Sequence, residues 1–381
     1  ILLYRSTYTA DSRSQNINFP IDLNNPCLAC QTPVSLTLNN IKAKNRIEFL
    51  PYVYGGLSGE REDNALKFGK FNKTIGLSGL VDLNNVTSLE YAINPDFSQV
   101  EADASQVEVN QRFAVFYPER RPFFLEGKEN FNLAAVGFLS SIKSVVNTRT
   151  IVSPSVAGKL SGKVGKKNTI STIFAKDREF DDEGEELDNK ATVGVLRYKR
   201  SFNKDSYLGA IGTARTFDGD YNVVYGLDGQ YRFLGSNLLS ANYLRSNTYE
   251  TQEGGVDETD KAGSLTVAFE HNTRKREFGI TVIDIDDGFQ SDVGQVNRTG
   301  IVRFGSNFSP KFYPKKGLIK RIDQTYYYGR IYDKESKLSE YSIFFKNDFT
   351  LPKSTVISFA ANLSNEVYAA QKFDRSSIRV E

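Results

Sequence analysis

Cys27 and Cys30 stand in the run Pro-Cys-Leu-Ala-Cys, a spacing used by redox dithiols, by small disulfides and by half of a zinc site. Zinc needs two further ligands, and the chain's one histidine, His271, is far away in sequence. A thioredoxin-type pair follows a strand and opens a helix, whereas Pro26 and Pro33 bracket a loop here. The pair therefore reads as a small loop disulfide or two thiols. Carboxylates offer the other chemistry. Glu101 and Asp103 are two apart and share a face of any strand that carries them. A glycosidase needs two carboxyls about 5–9 Å apart. Arg112, Arg120 and Arg121 lie close in sequence and would keep both groups ionised, which removes the acid partner. A salt-bridge network is expected there, not catalysis. The loop from Asp177 to Asn189 gathers Asp181, Asp182, Glu183, Glu185 and Glu186. Clustered carboxylates can take Ca²⁺, but the EF-hand spacing is absent, and Asp284-Ile285-Asp286-Asp287-Gly288 meets it only in part. The loop reads as solvated and acidic, with calcium at Asp181, Asp182, Glu183 and Glu185 as the minority reading. One histidine allows no Ser-His-Asp set, and neither a Walker loop nor a dinucleotide fingerprint is present. The sequence thus predicts no catalytic residue, no resident metal and no cofactor.

What must position these residues is written in the composition. The chain has 381 residues, 39% of them hydrophobic, and a mean hydropathy of −0.41. No stretch approaches the roughly 18–20 apolar residues of a membrane-spanning helix. Basic and acidic residues number 48 and 46, a parity that gives no footprint for nucleic acid. Gly (29), Tyr (20) and Phe (27) are abundant while Pro is only 11, which suits long strands with aromatic belts. Met is absent, so Ile1 is not a translation start, and the chain is expected to be a piece of a longer one. Its last residues, Ser-Ile-Arg-Val-Glu, lack a terminal aromatic, which raises the same expectation at that end.

From about residue 157 onward, segments of period two follow one another. In Asn222–Phe233, the residues Val223, Tyr225, Leu227, Tyr231 and Phe233 share one face, and Asp228, Gln230 and Arg232 the other. The pattern recurs with Leu239 and Tyr243 against Asn242, Leu265 and Val267 against Glu270, and Val302 and Phe304 against Arg303. Gly165–Asn168, Asn203–Asp205, Leu234–Ser236, Asn272–Lys275 and Leu351–Ser354 read as tight turns, all at one rim. Asp177–Asn189, Glu250–Lys261 and Asp284–Arg298 read as long loops, all at the other, where two short connections, around Asp218–Asp220 and Asp333–Ser336, also fall. A sandwich has no reason for such parity, whereas an outer-membrane barrel has periplasmic turns and extracellular loops. The fold class is all-β: a transmembrane antiparallel barrel of about 14–18 strands over residues 46–381, with residues 1–45 as a lead-in. Asp228, Gln230, Arg232, Asn242, Glu270 and Arg303 are the candidates for its lumen.

Residues 95–140 break the pattern, being too dense in Pro and charge to cross lipid, and are expected as a plug-like or periplasmic insert. The run Asn94-Pro95-Asp96-Phe97-Ser98-Gln99-Val100-Glu101-Ala102-Asp103, followed by Pro118-Glu119-Arg120-Arg121-Pro122-Phe123-Phe124-Leu125-Glu126-Gly127, resembles the signature of a family of large Gram-negative outer-membrane proteins. These carry an N-terminal carbohydrate-binding module of family 9 type, then a barrel domain of unknown function. The Gly158–Lys163 strand and the Gly288-Phe289…Val293-Gly294 segment fit as well, so the likeness spans roughly residues 40–320. The resemblance implies a barrel with a sugar-binding domain ahead of it and implies no reaction. The chain departs in having no Trp, whose interfacial place Tyr would fill.

Three functions fit these readings: a channel or receptor for a sugar-like or other extracellular ligand; an accessory or structural subunit of an envelope complex for secretion, uptake or barrel assembly; and an outer-membrane hydrolase. The residues support the last least. Outer-membrane lipid and lipopolysaccharide are the expected surroundings.

Overall fold

The computed structural model describes residues 6–9, 14–17, 19–22, 31, 33, 45–62, 65–95, 117–137, 140–181, 186–203, 205–251, 258–368 and 370–380. Cys27, Cys30, Asp96, Phe97, Gln99, Glu101, Asp103, Asp182, Glu183 and Glu185 lie outside these residues, so the disulfide, calcium and paired-carboxylate expectations fall outside the described structure.

A small hairpin, β1 (Ser6–Thr9) with β2 (Ser14–Ile17), stands apart from the main sheet. The main sheet begins with β3 (Ile47–Glu62), β4 (Ala65–Asn84) and β5 (Thr87–Ile93). After an insert that contains β6 (Ile142–Ser144), it continues with β7 (Pro154–Val164), β8 (Asn168–Phe180), β9 (Glu186–Asn203) and β10 (Ser206–Phe217). Next come β11 (Asp220–Phe233), β12 (Asn237–Glu250), β13 (Glu258–Asn272) and β14 (Arg276–Ile285). A loop holding β15 (Gln295–Val296) leads to β16 (Ile301–Phe312), β17 (Arg321–Asp333), β18 (Ser339–Thr350) and β19 (Val356–Tyr368). The short β20 (Gln371–Asp374) and β21 (Ser377–Val380) complete the sheet.

Except for β1, β2, β6 and β15, these strands form one closed antiparallel barrel, with β21 beside β3 at the seam. β20 and β21 pair end to end along the same edge of β19 and share one position in the wall. Counting them as one leaves sixteen positions among the described residues. An even number is what an antiparallel wall needs to close on itself.

The outside of the wall faces lipid. Leu196, Leu208 and Leu227 are 58%, 59% and 58% exposed, and they alternate with inward residues along their strands. Nearer the turn rim a belt of rings runs round the exterior. Phe202, Tyr231, Phe233, Phe269 and Phe278 touch in succession, with centroids 5.9–6.4 Å apart. Phe308, Tyr326, Phe345 and Phe359 continue it at 5.2–6.4 Å. Phe278 and Phe308 are cross-strand partners that join the two arcs. Phe and Tyr thus make the interfacial girdle in a chain without Trp.

The rims differ as expected, the tight turn Asp218–Gly219 at the loop rim included, save for the longer connection 313–320 at the turn rim, and with two corrections. β8 runs on to Phe180 and β9 starts at Glu186, so the Asp177–Asn189 loop shrinks to residues 181–185. Likewise the Glu250–Lys261 loop shrinks to residues 251–257. The change to charged residues marks where the wall leaves the bilayer, not where pairing stops. Above that level Arg178 reaches Glu186 across the ladder at 3.3 Å.

The insert takes the plug-like of its two expected places. It joins β5 to β7, starting at the loop rim, and its described residues from 117 onward pack inside the barrel rather than below it. Its elements are short: α1 (Pro122–Leu125), single 3₁₀ turns at Lys128–Phe131 and Thr148–Thr150, and β6. The loop bearing β15 also turns inward, and β15 pairs with β6. Two apolar clusters bind this plug to the wall. Phe124, Phe131, Ile151 and Val293 pack on Ile173, Val193 and Val195. Ile142, Val145 and Phe289 pack on Ile211, Val224, Leu244, Ile283 and Ile285. On this arc apolar residues stand among the polar ones of the inner face, against the expectation of a wholly polar lumen, because the wall there meets plug and not water.

Candidate functional site: the plug clasp and the passage beside it

Polar wall residues hold the plug by its backbone. Arg197 of β9 and Asp228 of β11 form a bidentate ion pair, at 2.5 and 2.8 Å, with both side chains almost wholly buried. They meet across β10 because Gly209 stands between them. A Cβ there would lie 2.6 Å from Asp228 Oδ1 and 2.7 Å from Arg197 Nη1. The pair then turns to the plug. Arg197 donates to the carbonyls of Asn130 and Asn132, and Asp228 accepts the amide of Ala134 at 2.8 Å. Asn242 donates to the carbonyl of the same residue at 2.7 Å. Both backbone groups of Ala134 are therefore clasped by the wall, which satisfies groups that would otherwise be buried without partners.

The Pro118–Gly127 stretch makes a second anchor. Glu119 accepts from Arg121 Nε and Nη2 at 2.9 and 2.7 Å, from the amides of Arg120 and Arg121, and from Thr148 Oγ1 at 2.6 Å. Burial alone would raise the Glu119 pKa, but the hydrogen bonds from Arg121 and Thr148 and the Arg121 charge outweigh it and hold the carboxyl at about 2. Arg121 also donates to the carbonyls of Thr148 and Ile151, and its guanidinium lies 4.4 Å from the ring centre of Phe124. On the wall, Lys159 pairs with Glu90 at 2.9 Å and donates to the carbonyls of Phe123 and Glu126. Asp177 accepts the amides of Val152 and Ser153, both at 2.7 Å.

The described residues of the plug pack on one side of the lumen, and two adjoining cavities lie on the other. A cavity of about 720 Å³ lies between Leu133–Gly137 of the plug and the inner faces of β11 to β19. A second, of about 550 Å³, borders Glu340, Glu366 and Arg375 nearer the loop rim. Ser342 and Asn362 line both, so the two spaces meet there. One row of directly paired residues crosses the larger cavity: Leu238, Glu270, Gly279, Asn307, Tyr327, Phe344 and Asn362, one per strand from β12 to β19. Gly279 makes room in it, since a Cβ there would lie 2.4 Å from Asn307 Oδ1.

The six lumen candidates separate into three groups. Asp228 and Asn242 clasp the plug, and Gln230 and Glu270 line the cavity. Arg232 is held at the turn rim by Asp205 at 2.5 Å, and Arg303 lies on the inner face of β16 but lines neither space. The reading from sequence missed Arg197, Lys159, Asp177 and Gly209. The first three carried a signal, as charged residues within otherwise regular strand patterns. Among the described residues no group of His, Cys, Asp and Glu could hold a metal ion.

A closed antiparallel barrel with an apolar exterior, an aromatic girdle, mostly short turns at one rim and its two longest connections at the other is the outer-membrane architecture. The chain is an outer-membrane β-barrel protein. A family described as a domain of unknown function (DUF5916) matches residues 43–142, which take in β3 to β5 and much of the plug. No curated protein matches the sequence. Among solved structures, OpdL of Pseudomonas aeruginosa is similar at 11% identity and a TM-score of 0.40, over 89% of this chain and 88% of that one. OprD of the same species gives 9%, 0.38, 88% and 82%. A BenF-like porin from Pseudomonas fluorescens Pf-5 gives 11%, 0.36, 88% and 96%. Superpositions this loose carry no argument about solutes, and the barrel rests on its own strand pairing.

Proposed function

We propose that this barrel is a non-enzymatic outer-membrane channel through which small polar solutes, carbohydrates among them, pass along the bare wall beside the docked plug. The observation that carries this reading is the Asn307–Tyr327–Phe344–Asn362 row facing the cavity. Two adjacent aromatic faces suit the C–H face of a sugar ring, and the flanking amides suit its hydroxyls. The test is conductance and liposome swelling with the purified protein. Channels should open in planar bilayers, and vesicles should admit monosaccharides. The Tyr327→Ala/Phe344→Ala double variant should raise the half-saturating sugar concentration about tenfold, the factor that 1.4 kcal/mol of lost contact gives. A bilayer that stays silent at high protein load would sink the channel.

A second reading rests on the clasp itself. A plug held by a buried ion pair and two apolar clusters suits a stoppered barrel that serves as an accessory subunit of an envelope complex. Stoichiometric envelope proteins retained in mild detergent, together with electrical silence, would favour it.

A further inference from the structure

We propose that the passage prefers cationic over anionic solutes and that Glu270 sets the preference. This rests on the channel reading above and adds a charge class to its solutes.

Almost every other charge along the path is neutralised by a neighbour. Toward the loop rim, Glu340 pairs with Arg298 at 2.9 Å and Glu366 with Arg375 at 2.8 Å. Toward the turn rim, Lys311 pairs with Glu277, Arg321 with Asp323 at 2.7 Å, and Lys346 with Asp348 at 2.8 Å. Arg232, which lies in the same cross-strand row, is engaged by Asp205. Glu270 differs. It lines the larger cavity, is exposed there, and has no ion-pair partner among the described residues. It also belongs to the same cross-strand row as the aromatic pair and lines the same cavity.

A lone carboxylate matters more in this setting than on an open surface. Low-dielectric walls focus its field, and charged side chains lining a pore are the usual source of charge selectivity. The cavity is about 720 Å³, so a solute crossing it passes within roughly a Debye length, about 8 Å at physiological salt. Cations should be enriched there and anions depleted, with neutral solutes between them.

The experiment uses the full chain in planar bilayers under a KCl gradient, with isosteric sugars in a swelling assay. Wild type should show a reversal potential on the cation side and admit glucosamine faster than glucose, and glucose faster than glucuronate. Glu270→Gln should move the reversal potential toward zero and level the three sugar rates. Glu270→Lys should reverse the sign. Heat-modifiable migration on gels shows that each variant is folded. A wild-type reversal potential at zero or on the anion side overturns the proposal while leaving the channel standing. So does a Glu270→Gln reversal potential equal to the wild-type value. No conductance in wild type overturns the channel reading and this one with it.

Discussion

The arc of wall under the plug and the arc beyond it share one exterior and differ inside. Both present Leu, Phe and Tyr to lipid. Inside, β7 to β14 turn Ala157, Ile173, Val193, Val195, Ile211, Val224, Leu244, Ile283 and Ile285 toward the plug, around the buried charges of Lys159, Asp177, Arg197 and Asp228. β16 to β19 instead turn Asn307, Tyr327, Ser342, Phe344 and Asn362 toward open space. The first arc is built as a protein interior, and its charges are used on plug backbone. The second is built as a wetted surface. The same strand pattern therefore serves two solvents, and the inner residues show which one each strand meets.

The largest effect should come from breaking the clasp. Asp228→Ala leaves Arg197 buried without its counter-charge and strips the Ala134 amide of its acceptor. Removal of one partner from a buried pair costs about 3–5 kcal/mol. Urea unfolding in lipid vesicles should show a loss of that size. If the plug loosens before the wall does, the variant should also conduct more, with noisy, flickering openings. An unchanged midpoint together with wild-type conductance would mean that the plug is held mainly by its apolar clusters.

A matched pair of leucines sharpens the comparison at smaller cost. Leu244 points inward and is fully buried against the plug, while Leu227 points outward and is 58% exposed to lipid. Leu244→Ala should destabilise by about 2–5 kcal/mol, since packing on both sides limits collapse into the cavity. Leu227→Ala should cost less, because acyl chains flow into the space and only the transfer contribution is lost. Equal costs would imply that the plug side is as fluid as lipid.

Much of this was legible in the sequence, for reasons that can be named. Period two with unlike faces gave the strands, and loop parity gave the two rims. Face assignments such as Tyr225, Leu227 and Tyr231 outward against Asp228 and Gln230 inward agree with the structure. The covered arc was harder to see, yet it carried a signal. Val223-Val224 and Val282-Ile283 are adjacent apolar pairs that break strict alternation, and in each the second member is buried toward the plug. The Arg197–Asp228 pair was invisible because its members lie 31 residues and two strands apart, and Gly209, which permits it, looks like any strand glycine. Strand ends were misplaced wherever pairing continues above the bilayer, because hydropathy reports the solvent and not the ladder. The Asn307–Tyr327–Phe344–Asn362 row depends on register across four strands, which a single sequence does not fix.

The smallest expected effect concerns acid. Among the described residues of the plug, Glu119 is the carboxylate whose pKa is driven far down, to about 2, by the hydrogen bonds from Arg121 and Thr148, which outweigh its burial. In an unfolded chain it would titrate near 4.3. A depressed folded value means that the contribution is fully present above the unfolded value and fades as pH falls toward the folded one. The Pro118–Gly127 anchor should therefore hold at pH 5 to 7 and weaken progressively between about pH 4 and pH 2. Acid-stable pepsin acting on the folded protein in lipid reads this directly, as cleavage within the plug that rises across that window while the wall stays intact. Glu119→Gln removes the titrating group, so its pepsin sensitivity should already be raised at pH 5 and change less with further acid. If wild type and variant show the same acid dependence, the plug's response belongs to other carboxylates, with Asp177 and its two backbone amides the next to examine.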